Sequence, residues 1–398
     1  MIDDLTRDFI SQHRYDDVHK LALQTKYAHE INLQLAITQI EAWQTARKKL
    51  PSWAKLDDII YPHRVSMEQC SSEVTAAYKA TLAQGETLVD LTAGLGVDFS
   101  FMARRFRQAD YVECQESLCK AADHNLPLLG LVNAKVHNMT AEDFLDKTSH
   151  VSCIFIDPSR RDSYGSKTVR IADCQPNIIT LLPRLTEKAD TVIVKLSPML
   201  DISAAVNDLK VASEIHVVAV DNECKELLAI INSGSCPTEP DIKCVNIGSN
   251  LSTFNFQPST ERSATWQLAD RVETYLYEPN AAIMKAAPFR LISQRYDLKK
   301  LAPNSHLYTS DNLVPFPGRT FQVEAVSRFS KKELKAFLSG LTKANVAVRN
   351  FPSSPEELKK RLALKDGGET YIFATTLNDG SKVLLKTKKL ALTLCLEH

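Results

Sequence analysis

No run of the roughly 18 apolar residues that a membrane span requires occurs in this 398-residue chain, so no membrane partner is expected. The opening Met-Ile-Asp-Asp-Leu-Thr-Arg-Asp lacks the basic stretch and apolar core of a signal peptide, which predicts a cytoplasmic protein. The nine cysteines are odd in number and contain no Cys-x-x-Cys pair. That argues against a disulfide framework and a thiolate zinc site, and free thiols are expected. None of the ten histidines stands at metal-ligand or catalytic-triad spacing, so no metal is expected either. Nothing in the sequence bears on oligomeric state.

Net charge is also missing, but its zero sum hides an uneven spread. Lys+Arg against Asp+Glu runs 10 to 11 over residues 1–80, 15 to 22 over 81–240, 8 to 7 over 241–314 and 15 to 8 over 315–398. A basic end beside an acidic middle suggests modules with different partners, because cationic faces draw phosphates by counterion release. A Lys-rich surface of the ordinary kind gives the same count. The length calls for two or three domains, and 44% hydrophobic with 24% charged residues is a globular balance.

Helices are expected first. Leu33, Ala36, Ile37 and Ile40 fall on one helical stripe that Pro51 closes after Arg47-Lys48-Lys49, and Ser71 or Ser72 is placed to cap a second helix carrying Val74, Ala77 and Tyr78. Strands are then predicted at 87–91, 110–114, 134–138, 151–157, 190–196, 214–220 and 226–232, with helices at 97–107, 116–130, 172–188 and 201–210 between them. Such alternation builds an α/β fold with a doubly wound, mainly parallel sheet, whose ligands bind at the carboxyl ends of the strands.

The chemically informative residues fall at those ends. Leu88 to Gly96 runs a buried strand into a turn in which Gly94 and Gly96 allow the backbone to lie against a nucleotide-type cofactor. The third glycine of the dinucleotide fingerprint is missing, with Asp98 and Phe99 in its place, which argues against a nicotinamide oxidoreductase. Glu113, 23 residues after Asp90, is spaced to accept ribose hydroxyls. Residues 136–145 are expected to pass under a base, with Thr140, Glu142 or Asp143 available to an exocyclic amine. The fourth strand ends in Asp157-Pro158-Ser159-Arg160-Arg161-Asp162, where proline turns the following groups toward the pocket. Arg160 and Arg161 suit a substrate phosphate or carboxylate, or pair with Asp162 and Asp173. Lys195 ends the fifth strand, where it tunes a nucleophile, stabilises charge, or only snorkels.

In order and spacing, Asp90, Thr92, Gly94, Gly96, Glu113 and Asp157-Pro158 resemble the class I S-adenosylmethionine-dependent methyltransferases, whose Rossmann-like sheet has seven strands with an antiparallel last pair. The resemblance implies S-adenosyl-L-methionine as cofactor, held by Asp90, Thr92, Gly94, Gly96, Asp98, Glu113, Thr140, Asp157 and Pro158. It implies Asp157 as the group that orients or deprotonates the acceptor, with Arg160, Arg161 and Lys195 holding substrate. Two departures stand out. Asn138-Met139-Thr140 replaces the acid that many relatives offer to adenine, and Asp157-Pro158-Ser159-Arg160 lacks the aromatic residue of amine-methylating enzymes.

A closer resemblance rests on Glu68-Gln69-Cys70-Ser71-Ser72, Asp157 to Asp162, Lys195-Leu196-Ser197-Pro198-Met199-Leu200-Asp201, Asn222-Glu223-Cys224-Lys225-Glu226-Leu227, Tyr277-Glu278-Pro279-Asn280-Ala281 and Phe316-Pro317-Gly318-Arg319. These are similar to a bacterial methyltransferase group in which a ferredoxin-like segment and a C-terminal THUMP-like domain follow the catalytic domain. The implied division is a helical region over 1–80, a methyltransferase domain over 81–240, a linker and ferredoxin-like segment over 241–314 and a basic THUMP-like α/β domain over 315–398. An RNA partner, tRNA or rRNA, follows only by analogy with THUMP domains. A protein or small-molecule acceptor, and a non-catalytic RNA-binding protein that keeps the fold, stay open. In the last segment strands are predicted at 320–328, 345–351, 370–377 and 382–388 and helices at 331–341 and 355–364. Lys382, Lys386 and Lys388 alternate along one strand and are expected on one face, as candidates for phosphate contact.

Overall fold

The structure, a computed structural model, describes residues 2–23, 31–62, 64–159, 171–235 and 237–390, without the side chains of 64–66. It divides into two compact units: Met1–Val220 with Lys225–Pro240, and Asp221–Cys224 with Asp241–His398.

The first unit begins with helices α1 (Asp4–His13), α2 (Val18–Ala22), α3 (Leu33–Lys49), α4 (Arg64–Gln69) and α5 (Glu73–Ala80). Asn32 caps α3 through the Leu35 N–H, and Ser72 caps α5 through the Thr75 N–H. The inward face of α5 is Thr75, Ala76 and Lys79, whereas Val74 is 43% exposed and Ala77 faces out. Val74 and Ala77, two of the residues expected on its apolar side, therefore do not mark its buried face. Leu50, Trp53, Tyr61, Met67 and Ala76 share one core cluster with Val97, so the helical prelude packs directly on the element that follows the glycine turn.

Strand and helix then alternate through β1 (Gly85–Asp90), α6 (Val97–Met102), β2 (Phe106–Glu113), α7 (Glu116–Leu128), β3 (Ala134–Asn138), α8 (Ala141–Lys147), β4 (Val151–Ile156), α9 (Ile178–Lys188), β5 (Ala189–Leu196), α10 (Ile202–Asp208), β6 (Glu214–Val220) and β7 (Glu223–Asn232). Their order in the sheet is β3-β2-β1-β4-β5-β7-β6. The first five strands pair in parallel, and β7 runs antiparallel to β5 with Lys195 opposite Leu228. Buried on both faces, the central strands carry apolar runs such as Val192-Ile193-Val194, all 0% exposed. The turn where the order reverses, between β1 and β4, is the crevice in which such sheets bind ligands.

Residues 141–147, for which no helix was expected, form α8, because the Thr140 hydroxyl accepts the Asp143 N–H at 3.1 Å and caps a short helix that buries Phe144 and Leu145.

The second unit holds a hairpin, β8 (Asp241–Ile247) and β9 (Leu251–Phe256), then α11 (Pro258–Ser263), β10 (Gln267–Leu268), β11 (Tyr275–Pro279), α12 (Ala281–Ala286), α13 (Phe289–Arg295), β12 (Lys299–Lys300) and β13 (Tyr308–Ser310). It ends with β14 (Gly318–Ser327), α14 (Lys331–Phe337), β15 (Asn345–Arg349), α15 (Pro355–Leu362), β16 (Thr370–Thr376) and β17 (Lys382–Lys389). An eight-stranded sheet runs β10-β12-β13-β11-β14-β17-β16-β15. Phe321, Phe373 and Leu385 fill one of its faces, and Ile372 and Leu384 pack with Leu358 and Leu362 on the other. A capping box opens α15: the Ser354 hydroxyl accepts the Glu357 N–H at 3.2 Å and the Glu357 carboxylate accepts the Ser354 N–H at 3.0 Å. Ser354→Ala is expected to lower stability in urea by about 1 kcal/mol, and an unchanged midpoint would show that α15 does not depend on its cap.

Candidate functional site

The turn after β1 is built by glycine at two positions. Gly94 (φ +57°) and Gly96 (φ +84°) adopt left-handed backbone that other residues reach only at a cost. A Cβ at Gly96 would stand 3.2 Å from the Tyr111 ring, whereas one at Gly94 would meet nothing closer than the Thr92 carbonyl at 3.8 Å. Glu113 braces this loop from the end of β2, accepting the Gly94 N–H at 3.0 Å and the Gln115 N–H at 2.8 Å, while the Tyr111 hydroxyl donates to the Gly94 carbonyl. The Thr92 hydroxyl accepts the Asp157 N–H at 2.7 Å, so the turns after β1 and β4 are tied together.

The loop bounds a cavity of about 200 Å³ lined by Asp90, Thr92, Gly94, Gly96, Asp98, Gln115, Leu118, Asp157 and Lys195, with Gln69, Cys70 and Ser71 from the helical prelude. A larger chamber of about 510 Å³ adjoins it, lined by Asp157, Pro158, Ile171, Cys174, Lys195, Pro198, Leu200, Lys48, Lys225 and Glu226 and by the same prelude residues. Gln69, Cys70, Ser71, Asp157 and Lys195 border both spaces.

Charge at that junction alternates. Lys195 Nζ lies 2.6 Å from Asp157 Oδ2 and 3.3 Å from Asp98 Oδ2. Burial alone would push the Lys195 ammonium toward neutrality, but the carboxylates of Asp157 and Asp98 outweigh it and hold the amine well above its ordinary value. It therefore serves as a fixed cation and not as a base. Burial likewise works against the Asp98 charge, yet Lys79 and Lys195, helped by the Ser71 hydroxyl, keep that carboxyl below the usual range. At Asp90 burial, with the nearby Asp98 and Asp157 charges, outweighs the Thr92 N–H it accepts at 3.1 Å and the Lys195 cation, and drives its carboxyl well up.

Of the residues singled out in the sequence, Asp90, Thr92, Gly94, Gly96, Asp98, Asp157 and Lys195 come together around the smaller cavity, and Pro158 lies on the wall of the larger. Glu113 stands behind the loop, with one amide on each carboxylate oxygen. Thr140 caps α8, with Glu142 and Asp143 exposed in its first turn, and none of the three lines either space. Arg160 and Arg161 lie outside the described residues. Lys382 and Lys388 are exposed on β17 and Lys386 is half-buried opposite Ile372; the face they share also carries Leu384 into the helix-covered core. Sequence reasoning missed Lys79 and gave Glu226, quoted within a motif, no role. The only available signal was the Glu68 to Ser72 and Asn222 to Leu227 motifs, which supply Ser71 and Glu226. Among the described residues no group of His, Cys, Asp or Glu is arranged to hold a metal, and no helix is long and apolar enough to cross a membrane.

A Rossmann-like run of strands in this order, with a glycine turn after its first strand and an Asp-Pro after its fourth, defines the methyltransferase class of fold. Family models describe residues 275–317 as a ferredoxin-like domain and residues 318–389 as THUMP domain-like. A crystal structure from Porphyromonas gingivalis W83, of a protein provisionally called a methyltransferase, is 35% identical and matches with a TM-score of 0.87, over 98% of this chain and 100% of that one. The chain belongs to the same family, the methyltransferases in which ferredoxin-like and THUMP-like segments follow the Rossmann-like domain. Lesser likeness extends to an rRNA methylase from Streptococcus thermophilus, 11% identical with a TM-score of 0.31 over 40% of this chain and 94% of that one. A Pyrococcus horikoshii protein provisionally called an RNA methyltransferase is 14% identical, with a TM-score of 0.34 over 47% and 98%. No curated protein matches the chain.

Proposed function

We propose that the protein transfers a methyl group from S-adenosyl-L-methionine to RNA, either tRNA or rRNA. The observation that carries the transfer reaction is the junction itself: a glycine-walled cavity and a larger chamber meet at Asp157 and Lys195, which is what passing a group between two bound molecules requires. S-adenosylmethionine, when bound, supplies an electrophilic methyl group. The smaller cavity fits that ligand, because Gly94 presents bare backbone to it.

The chain's own residues then have mainly to position and exclude water. The Lys195 ammonium fixes Asp157 through a charge-assisted hydrogen bond, leaving Asp157 Oδ1 to orient or take the proton of an acceptor held in the chamber. Arg160 and Arg161 follow in sequence and are read as substrate contacts.

RNA as the acceptor is supported by the THUMP domain-like match over 318–389 and by the positive surplus of 315–398. The division into residues 1–80, 81–240, 241–314 and 315–398 is part of this reading. Lys382 and Lys388, both exposed, are the better phosphate contacts on β17. In the full chain, Lys382→Glu with Lys388→Glu should weaken RNA binding and flatten the log–log salt slope by about 0.7–0.9 per lost contact, with cofactor affinity unchanged. RNA affinity indifferent to both lysines would take β17 out of the interface. The acceptor itself is tested by mass spectrometry of tRNA and rRNA nucleosides from a deletion strain. One methylated nucleoside should vanish and return with the wild-type gene but not with Asp157→Asn; an unchanged nucleoside profile would remove RNA as the substrate.

A further inference from the structure

Two charged side chains that this chemistry does not use lie at full depth in the first unit. Lys79 on α5 is 0% exposed and Glu226 on β7 is 3% exposed. A buried ammonium is costly unless paired and hydrogen-bonded, and Lys79 donates to the Glu226 carboxylate and to the Ser71 hydroxyl at 3.2 Å and ion-pairs with Asp98 Oδ1 at 3.1 Å. Ser71 passes its own proton to Asp98 Oδ2 at 2.7 Å. Lys195 reaches that same oxygen at 3.3 Å and Asp157 at 2.6 Å. The chain Glu226, Lys79, Asp98, Lys195, Asp157 thus alternates in sign. Glu226 borders the chamber, Asp98 borders the cofactor cavity, and Lys79 borders neither.

The distances suggest what this arrangement does. Lys195 stands between two carboxylates, and the one already satisfied by Lys79 and Ser71 holds it less closely. We propose that Lys79 and Ser71 are positioning residues: by neutralising Asp98 and occupying its Oδ2 they commit Lys195 to Asp157, and so fix Asp157 at the junction of the two cavities. The idea rests on the transfer reaction proposed above. The charged and titratable groups near Asp98 are Lys79 from α5, Lys195 from β5, Glu226 from β7, Asp90 from β1, Asp157 after β4, and Cys70.

Lys79→Met alone strands the buried Glu226 carboxylate and is expected to unfold the protein. Ser71→Ala and the double variant Lys79→Met with Glu226→Met avoid this, since the second removes both charges of the outer pair. The test needs no ligand: the carboxyl carbons of Asp98 and Asp157 are followed by NMR against pH in the full chain and assigned with Asp98→Asn and Asp157→Asn. Both variants should bind a proton at Asp98 about tenfold more tightly, a rise of about one pH unit, and the Asp157 signal should move with it as Lys195 shifts toward Asp98. A purely structural pair would lower the melting temperature and leave both signals in place, which would overturn the proposal. Movement at Asp98 with none at Asp157 would overturn it too. A parallel titration with S-adenosylmethionine keeps the two questions apart. Failure of the wild type to bind refutes the transfer reaction, while the carboxyl signals still decide whether Lys79 and Ser71 set Asp157.

Discussion

Asp157→Asn is expected to lower methyl-transfer turnover by about 10²–10⁴, the range for loss of a positioned base, while cofactor affinity changes by no more than a few-fold. The substitution keeps the shape of the side chain, and its N–H still meets the Thr92 hydroxyl that ties the two turns together. What disappears is the carboxylate that Lys195 holds at 2.6 Å and that faces both cavities. Because Asp98 still neutralises Lys195, the variant is expected to fold. Single-turnover assays on RNA from the deletion strain would measure the change, and near-normal turnover would remove Asp157 from the mechanism.

Gly94→Val is expected to weaken S-adenosylmethionine binding at least about hundredfold, which corresponds to roughly 2.7 kcal/mol. Two effects combine. A β-branched residue at φ +57° strains the turn, and its side chain, finding no protein atom nearer than 3.8 Å, projects into the space where backbone must lie against the ligand. The neighbouring glycine makes a poorer test, because a Cβ at Gly96 meets the Tyr111 ring at 3.2 Å and would disturb the strand behind it. Calorimetry with the variant should give no binding heat where the wild type saturates, with a melting temperature within a few degrees. Unchanged affinity would mean that the ligand does not approach this loop.

Most of the sheet was legible because its strands are continuous apolar runs between glycine turns and polar helices. β3 and β6 fall on the expected residues, and β7 runs antiparallel to β5, as expected for a member of the last pair, which does not form the sheet's edge. The errors have local causes. β2 begins at Phe106, four residues early, because Phe106 and Arg107 were assigned to a helix over 97–107 and the exposed Arg107 and Gln108 interrupt the apolar run. α8 was missed because seven residues are too few for a helical period to show, although Thr140 and Asp143 carried the cap. The glycine turn and the strand-end acids were readable as chemistry at known spacing. The buried charge chain was not. Lys79 occupies the inward face of a helix on which Val74 and Ala77 face out, and its partners come from positions 19 and 147 residues away along the chain. Only the fold brings them together. THUMP-like basicity was visible as composition, but the packing of Leu384 between Lys382 and Lys386 shows that alternation along β17 does not expose a bare lysine face.

The central claim is that the cavity under Gly94 and Gly96 is a cofactor site opening on an acceptor chamber. Isothermal titration of the full chain with S-adenosylmethionine, its demethylated product and NAD tests that claim most directly. One site for the first two, lost in Gly94→Val, and no heat with NAD is the predicted result; NAD binding, or no binding of S-adenosylmethionine at millimolar concentration, would contradict it.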